Sequence, residues 1–228
     1  MKLSPQFIAL SSDMMVLALA VLIFACAGWF HSTPNAGAKR VGPLKLANPR
    51  IEVSKSEGTL KLFDGGRLVK TYSCRTGRVA GDKRREGDHK TPEGRFCVCY
   101  KNPGSKYTLS LGLNYPTEKD AARGLRAGLI TQAQHDALME GNRLTNEFRN
   151  SAEAPYGATT NVTRPDGVIT VPGVDWETLW KTPLGGEVMI HGASADRTGT
   201  AGCVGMDDSD IREIYPLLPI GTPVRIVP

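Results

Sequence analysis

Between residues 51 and 72 the chain alternates apolar and polar residues in a way that restricts it to paired β-strands. Residues 51–55 (IEVSK) alternate, a second strand-like stretch covers 59–63 (TLKLF), and a DGG turn at 64–66 leads into 67–72 (RLVKTY). Side chains with a period of two line one face of a strand, and a short Asp-Gly connection reverses the chain into an antiparallel neighbour. This region therefore predicts a β-meander that opens an antiparallel sheet.

Later segments add strands, and a helical stretch separates them from the meander. Further strands are predicted at 95–100, 168–171, 188–191 and 222–227, with a short helix from Asp207 or Asp208 to Tyr215. Residues 117–160 instead carry helix-capping signals at Thr117 and Thr131, with Gly128 between the two predicted helices. This insertion is either a lid over a functional site or an extension of the core.

The N-terminus carries an uncharged apolar run at residues 14–30 (MMVLALAVLIFACAGWF), preceded by Lys2. Seventeen residues of α-helix are about 26 Å long, the lower limit for crossing a bilayer. The same run resembles a signal-peptide core with a small-x-small cleavage site at 25–27 (ACA), and Phe24 disfavours lipidation of Cys26. Residues 1–30 are therefore predicted to be a signal peptide or an N-terminal membrane anchor, with the anchor favoured.

Residues 31–48 mix Pro, Gly and Ala with basic residues and predict a linker, which leaves 49–228 as the exported domain. The expected location is the periplasm or cell envelope, either anchored in the inner membrane or secreted. The formal net charge of +5 suits anionic wall polymer or lipid headgroups. No nucleic-acid partner is predicted, because the sequence has no arginine-rich helix, zinc-finger spacing or RNP-like motif.

The cysteines do not define a disulfide framework. With Cys26 in the export segment and Cys203 set aside for chemistry, Cys74, Cys97 and Cys99 remain. Cys97 and Cys99 are two positions apart in a predicted strand, too far apart for a direct bond without strain. Cys74 can pair with either one across neighbouring strands, but buried free thiols are favoured. The spacing offers no zinc site.

The strongest chemical signal lies at residues 190–206, where His191-Gly192 precedes a ten-residue loop that ends at Gly202-Cys203. A free cysteine has a pKa of about 8.5, so an imidazole within hydrogen-bond reach is needed to remove its proton near neutral pH. A strand ending in His191 and a short loop returning to Cys203 can place the two side by side. A cysteine and a histidine twelve positions apart remain a weak signal without their flanking residues.

The flanking residues carry a family resemblance. The segment IHGASADRTGTAGCVGM (190–206) resembles the active-site signature of the L,D-transpeptidase (YkuD-type) family. GDHKTPEGRF (87–96), SLGLNYP (110–116) and LLPIGTPVRI (217–226) are similar to other segments of that family, in the same order. Together with the strand pattern, the resemblance implies a mainly β, antiparallel β-sandwich or barrel-like L,D-transpeptidase catalytic core with a helical insertion at 117–160.

Carried over to this sequence, the resemblance implies that Cys203 is the acylated nucleophile and His191 the general base. The amides around Gly202 and Cys203 are expected to face the oxyanion. In the family a backbone carbonyl orients the histidine, and here Gly192 or Thr200 occupies that neighbourhood. Asp207 and Asp208 are expected at the N-terminus of the following helix rather than in a catalytic triad. No metal or organic cofactor is required.

Two positions depart from the family pattern: Ala201 and Gly205 stand where many members carry a cation that helps to hold substrate. The implied reaction is ping-pong acyl transfer on peptidoglycan stem peptides, giving 3-3 cross-links or anchoring a protein to the wall. The departures leave L,D-carboxypeptidase or amidase activity as an alternative, and a wall-linked lipoprotein as a possible partner. A non-catalytic wall-binding module is the alternative from another class.

Overall fold

The computed structural model describes residues 45–151, 162–193 and 198–228. The predicted signal or anchor (1–30), most of the predicted linker (31–48) and the end of the helical insertion lie outside the described residues. Within the described ranges, no helix combines the length and the apolar character needed to cross a membrane.

The first three strands form the predicted meander. β1 (Pro49–Ser54), β2 (Thr59–Asp64) and β3 (Arg67–Ser73) pair antiparallel in sequence order. The alternation has the expected effect, because Ile51, Val53, Leu60 and Leu62 all enter the hydrophobic core. Gly65 occupies the turn between β2 and β3 with φ +60°, a conformation that glycine adopts without steric cost.

Seven further strands complete the sheet: β4 (Gly94–Asn102), β5 (Ser110–Leu113), β6 (Val162–Thr163), β7 (Ile169–Thr170), β8 (Met189–His191), β9 (Val204–Gly205) and β10 (Pro223–Val227). Along the main path the order is β3-β2-β1-β10-β4-β5-β8-β9, and β7 pairs with β4 and β6. The pairs β1–β10 and β8–β9 are parallel, and the other pairs are antiparallel. The sheet curls around one large core, which confirms the predicted mainly β, barrel-like fold.

Two helices begin at the predicted caps. α1 (Glu118–Arg126) and α2 (Gln132–Asn150) start after Thr117 and Thr131, and each has a capping box in which side chain and backbone satisfy each other. Gly128, with φ +66°, ends α1 and turns the chain toward α2. Two shorter helices, α3 (Trp176–Leu179) and α4 (Asp208–Ile214), lie later in the chain, and α4 continues as a 3-10 turn at Tyr215–Leu217.

A buried amide network attaches the helical pair to the sheet. The Oδ1 atom of Asn114, just after β5, accepts from the N–H of Cys97 at 2.7 Å, and its Nδ2 donates to Asn142 on α2 at 2.9 Å. The amide of Asn142 in turn donates to the carbonyls of Pro116 and Leu138. Since buried polar groups are costly without partners, these bonds fix the position of α2 against β4 and β5. The described part of the insertion therefore packs as an extension of the core.

Cys74, Cys97 and Cys99 are buried and free. Burial raises the pKa of the Cys74 and Cys97 thiols to about 12, so both remain protonated at neutral pH. The favoured interpretation of these residues as buried free thiols is confirmed, and the alternative disulfide from Cys74 is absent.

Candidate active site

His191 ends β8, between β5 and β9, and faces a pocket. Ser110 lies opposite it on β5 and Gly205 opposite it on β9. Neighbouring residues of a strand point to opposite faces, so Ile190 (0% exposed) enters the core while His191 (7% exposed) lines the pocket. The pairing on both sides of β8 therefore fixes where the imidazole emerges.

A backbone carbonyl orients the imidazole. Nδ1 of His191 lies 2.6 Å from the carbonyl oxygen of Gly192, which can only accept, so Nδ1 carries the hydrogen and Nε2 keeps its lone pair. Burial lowers the pKa of His191, and the bond to Gly192 opposes that effect in part. The ring is therefore neutral near pH 7, with Nε2 able to accept a proton.

The turn after His191 has no room for a side chain at Gly192. A Cβ there would lie 2.6 Å from Oδ1 of Asp208 and 2.9 Å from Cγ2 of Ile211. Asp208, the first residue of α4, accepts from the N–H of Ala193 at 2.6 Å and so holds this turn. The ring of Tyr107 packs on the imidazole, with ring centres 4.6 Å apart. Neither the contact with Tyr107 nor the hydrogen bond between Asp208 and Ala193 could be predicted from a local sequence pattern, because each joins residues distant along the chain.

Cys203 immediately precedes β9 and lies on the same face as His191. β8 and β9 are parallel, with Ile190 opposite Val204 and His191 opposite Gly205. Cys203 stands two residues before Gly205 and therefore shares the face of Gly205 and His191. Both side chains line one pocket, and Cys203 is partly exposed. The Cys203 Sγ accepts from the N–H of Met189 at 3.5 Å, and its S–H donates to the carbonyl of Glu187 at 3.4 Å.

The thiol is neutral in this environment. Burial raises the pKa of Cys203, while the bond from Met189 and the nearby charge of Lys83 partly offset that effect. With the pKa of His191 lowered and that of Cys203 raised, both groups are uncharged near pH 7. The pocket therefore holds a thiol whose pKa is raised and an imidazole whose pKa is lowered, which favours the neutral form of each group.

Thr200 and Gly202 shape the turn that presents Cys203. The hydroxyl of Thr200 donates to the carbonyl of Cys203 at 2.6 Å and accepts from the N–H of Gly202 at 3.0 Å. Gly202 has φ +140°, and a Cβ there would lie 2.9 Å from the carbonyl oxygen of Lys90. The N–H of Gly202 is thus engaged by Thr200, although the family resemblance implies that the amides around Gly202 and Cys203 face the oxyanion.

The pocket has a volume of about 770 Å³, and it is lined by residues from the segments 83–89, 100–110, 177–191 and 201–203. None of the described residues of α1 or α2 lines it, so the described part of the insertion is not a lid over this pocket. Among residues 45–151, 162–193 and 198–228, no three His, Cys, Asp or Glu side chains cluster so as to hold a metal ion.

Lys83 is a pocket residue that the sequence pattern did not single out. It lies in the polar loop from Gly77 to Gly94, whose basic residues predict either a solvated loop or a rim that contacts anionic wall. In the structure Lys83 is only 5% exposed and lines the pocket beside Cys203, so the solvated interpretation is wrong for this residue. Charge spacing alone could not distinguish Lys83 from the exposed Arg84 and Arg85 next to it.

These features define a mainly β domain with a cysteine and a neutral histidine in one pocket. The model of the YkuD family, described as the L,D-transpeptidase catalytic domain, matches residues 48–226. The chain therefore belongs to the YkuD family of L,D-transpeptidase catalytic domains, as its motifs predicted. This family acts on peptides of the cell wall, which is consistent with a location in the cell envelope.

Individual relatives are more distant. The chain is 30% identical to YafK of Escherichia coli K12, a candidate L,D-transpeptidase, in an alignment 121 residues long that covers 47% of this chain and 49% of YafK. It thus spans about half the length of the curated relatives it matches.

Solved structures with a similar fold include Bd1075 of Bdellovibrio bacteriovorus, with TM-score 0.44 and 19% identity over 80% of this chain and 48% of that one. Another is Pgp2, a helical cell shape determining protein of Campylobacter jejuni, with TM-score 0.45 and 17% identity over 78% of this chain and 47% of that one.

Proposed function

We propose that this protein is a cysteine-dependent L,D-transpeptidase that acts on peptidoglycan stem peptides in the cell envelope. The observation that carries the proposal is the shared pocket of Cys203 and His191, in which Nδ1 of the imidazole is held by the carbonyl of Gly192. This hydrogen bond leaves Nε2 as a base on the pocket side. Membership of the YkuD family supplies the substrate class.

In the first half-reaction Cys203 attacks the carbonyl of the third stem-peptide residue, a diamino acid attached through its L-centre. The thiol proton passes to Nε2 of His191 as the carbon–sulfur bond forms. Because the S–H is hydrogen-bonded to the carbonyl of Glu187, the thiol must first rotate away from that oxygen. With the N–H of Gly202 engaged by Thr200, the N–H of Cys203 is the proposed oxyanion donor in this turn.

Collapse of the tetrahedral intermediate breaks the peptide bond to D-Ala, whose amine takes the proton from the imidazolium. The remaining thioester then reacts with an amine nucleophile, which loses its proton to His191 as the sulfur–carbon bond breaks and the Cys203 thiolate is reprotonated. An amine from a second stem peptide gives a 3-3 cross-link, and an amine on a protein anchors that protein to the wall.

Hydrolysis is the second candidate, because Ala201 and Gly205 stand at the two positions where the family resemblance places a cation that helps to hold substrate. If water resolves the thioester, the same residues perform L,D-carboxypeptidase or amidase chemistry. Release of a wall-linked lipoprotein is the amidase form of this reaction. The attacking group that reaches the thioester decides between transfer and hydrolysis, and it leaves the first half-reaction unchanged.

The deciding experiment incubates the purified protein with disaccharide tetrapeptide, with and without an added amine acceptor, and analyses the products by mass spectrometry. Cross-linked dimers or acceptor adducts indicate transfer, and tripeptide with free D-Ala indicates hydrolysis. Cys203→Ala and His191→Ala are expected to be inactive in both assays. Unchanged product formation by Cys203→Ala would refute the proposed nucleophile.

A carbapenem distinguishes the enzyme from a non-catalytic wall-binding module. The wild-type protein should gain the mass of one carbapenem, and Cys203→Ala should gain none. Protein that binds peptidoglycan but is never acylated would instead be a binding module.

A further inference from the structure

Lys83 is a buried cation beside the turn that carries the thiol. It is 5% exposed and lines the pocket together with Gly202 and Cys203. A Cβ built on Gly202 would lie 4.0 Å from Nζ of Lys83. Burying an ammonium costs several kcal/mol unless its charge and its N–H groups are compensated. The hydrogen-bond and ion-pair partners of Lys83 therefore show whether the protein alone compensates its charge and all of its N–H groups.

The ion-pair partner of Lys83 is Asp88, and that carboxylate has other donors. Nζ of Lys83 lies 3.1 Å from Oδ1 of Asp88 and 3.1 Å from the carbonyl oxygen of Arg85. Asp88 also accepts backbone N–H bonds from Arg84, Arg85 and Lys90. Burial works against its ionisation, but the three amides and Lys83 together hold the pKa of Asp88 below its usual range. The three backbone N–H groups of the loop thus stabilise the ionised carboxylate of Asp88 in addition to Lys83.

Two lysines outside the pocket, the buried Lys101 and Lys55 with a side chain that is 8% exposed, show how an ammonium is satisfied when its role is structural. An ammonium has three N–H groups. Lys55 donates to three oxygens, at 2.6, 3.1 and 2.7 Å. Lys101 donates to two carbonyls, at 2.9 and 2.8 Å, and its ammonium lies 4.5 Å from the centre of the Tyr215 ring. Within the described part of the chain, Lys83 donates to only two oxygens, and it is the lysine of these three that lines the pocket.

We propose that Lys83 binds a carboxylate of the peptide substrate next to Cys203, with Asp88 and the carbonyl of Arg85 holding the ammonium in place. The inference rests on the proposed function and names the group through which this pocket recognises its substrate. The cation comes from the loop before β4, whereas the family pattern would place it at Ala201 or Gly205. Glu86, Glu187 and two exposed lysines, Lys106 and Lys181, also line the pocket. Lys83 differs from those two lysines because its ammonium is buried and held in place by Asp88 and the carbonyl of Arg85.

A stem peptide offers this carboxylate from two sources. One is the terminal carboxylate of the leaving D-Ala, and the other is a carboxylate on the side chain of the diamino acid. Both present the same chemistry to an ammonium, and ligands that lack one or the other distinguish them. Three ligands are sufficient: the tetrapeptide with diaminopimelic acid at position three, the same peptide ending in D-Ala carboxamide, and a peptide with lysine in place of diaminopimelic acid.

The test measures dissociation constants by calorimetry in the full-length Cys203→Ala protein, which binds substrate without turnover. Adding Lys83→Met should raise the dissociation constant of the parent tetrapeptide by about 10- to 100-fold, the usual range for a charged hydrogen bond. The ligand that lacks the recognised carboxylate should bind both proteins equally weakly, which identifies the source. An unchanged dissociation constant in Lys83→Met, or equal weakening of all three ligands, overturns the inference.

Lys101→Met is the matched control, because Lys101 is buried, donates to the carbonyls of Tyr215 and Leu218 and does not line the pocket. It should lower thermal stability and leave the dissociation constants unchanged. If Lys83→Met fails to fold, the ligands alone decide in Cys203→Ala: equal affinity for all three overturns the inference. Peptide binding by Cys203→Ala without any turnover by the wild-type protein refutes the proposed function while the role of Lys83 stands.

Discussion

Replacing Thr200 by valine removes a hydroxyl that closes the turn in front of the nucleophile and leaves the shape of the side chain nearly unchanged. The hydroxyl donates to the carbonyl of Cys203 and accepts from the N–H of Gly202. A net hydrogen bond contributes about 1 kcal/mol, and an unsatisfied buried N–H adds a further cost. Since Gly202 is buried, the total loss is expected to be about 2–3 kcal/mol.

For a domain of this size each kcal/mol corresponds to a shift of roughly 2–4 °C in the melting temperature, so Thr200→Val should melt about 5–10 °C below wild type. The same loss loosens the carbonyl of Cys203 and the amide of Gly202. We therefore expect the rate of acylation by a carbapenem to fall by about tenfold or more, which corresponds to 1.4 kcal/mol or more in the transition state. Differential scanning calorimetry and mass spectrometry measure the two effects.

Thr182→Val is the matched control for this change. The hydroxyl of Thr182 is buried, and no described residue offers it a hydrogen-bond partner. Its replacement by a methyl group should leave the melting temperature unchanged or raise it, because a desolvated hydroxyl is removed. If Thr200→Val matches wild type in both melting temperature and acylation rate, the hydroxyl of Thr200 does not hold the turn, and the reasoning fails.

Two further substitutions and one alkylation experiment test other parts of the structure. Gly192→Ala should slow acylation by about tenfold or more in a folded protein, because the new Cβ displaces Asp208 and the turn that orients His191; wild-type rates would contradict this contact. Asn142→Leu should lower the free energy of unfolding, measured in urea, by about 3 kcal/mol, because three hydrogen bonds are lost. The rate of carbapenem acylation in the absence of urea should stay unchanged, because no described residue of α2 lines the pocket. Alkylation of Cys203 by iodoacetamide should be slower at pH 7 than alkylation of free cysteine, and its rate should still increase with pH above pH 9, because burial raises the pKa of the thiol. A rate that is already maximal at pH 6 would instead indicate an ion pair with protonated His191.

The sequence was most informative where the structure depends on neighbours along the chain. The alternation over 51–72 placed Ile51, Val53 and Leu62 in the core, because strand periodicity is a local property. The capping boxes at Thr117 and Thr131 marked the starts of α1 and α2, since a cap involves residues only three positions apart. The segment from 190 to 206 likewise contained both His191 and Cys203.

The tertiary structure decided which distant segments meet. β10 lies between β1 and β4, and β8 lies between β5 and β9, and neither arrangement follows from local pattern. This pairing puts His191 and Cys203 on one face, and it chooses the carbonyl of Gly192, and not that of Thr200, as the partner of Nδ1. The sequence could not distinguish the buried Lys83 from the exposed Arg84 and Arg85, because burial depends on which distant segments pack over a residue. The sequence by itself thus determined the strands, the helix starts and the reactive residue types, because these depend on short-range sterics and hydrogen bonding. The geometry between those residues depends on contacts across the whole chain, so only the folded protein could set it.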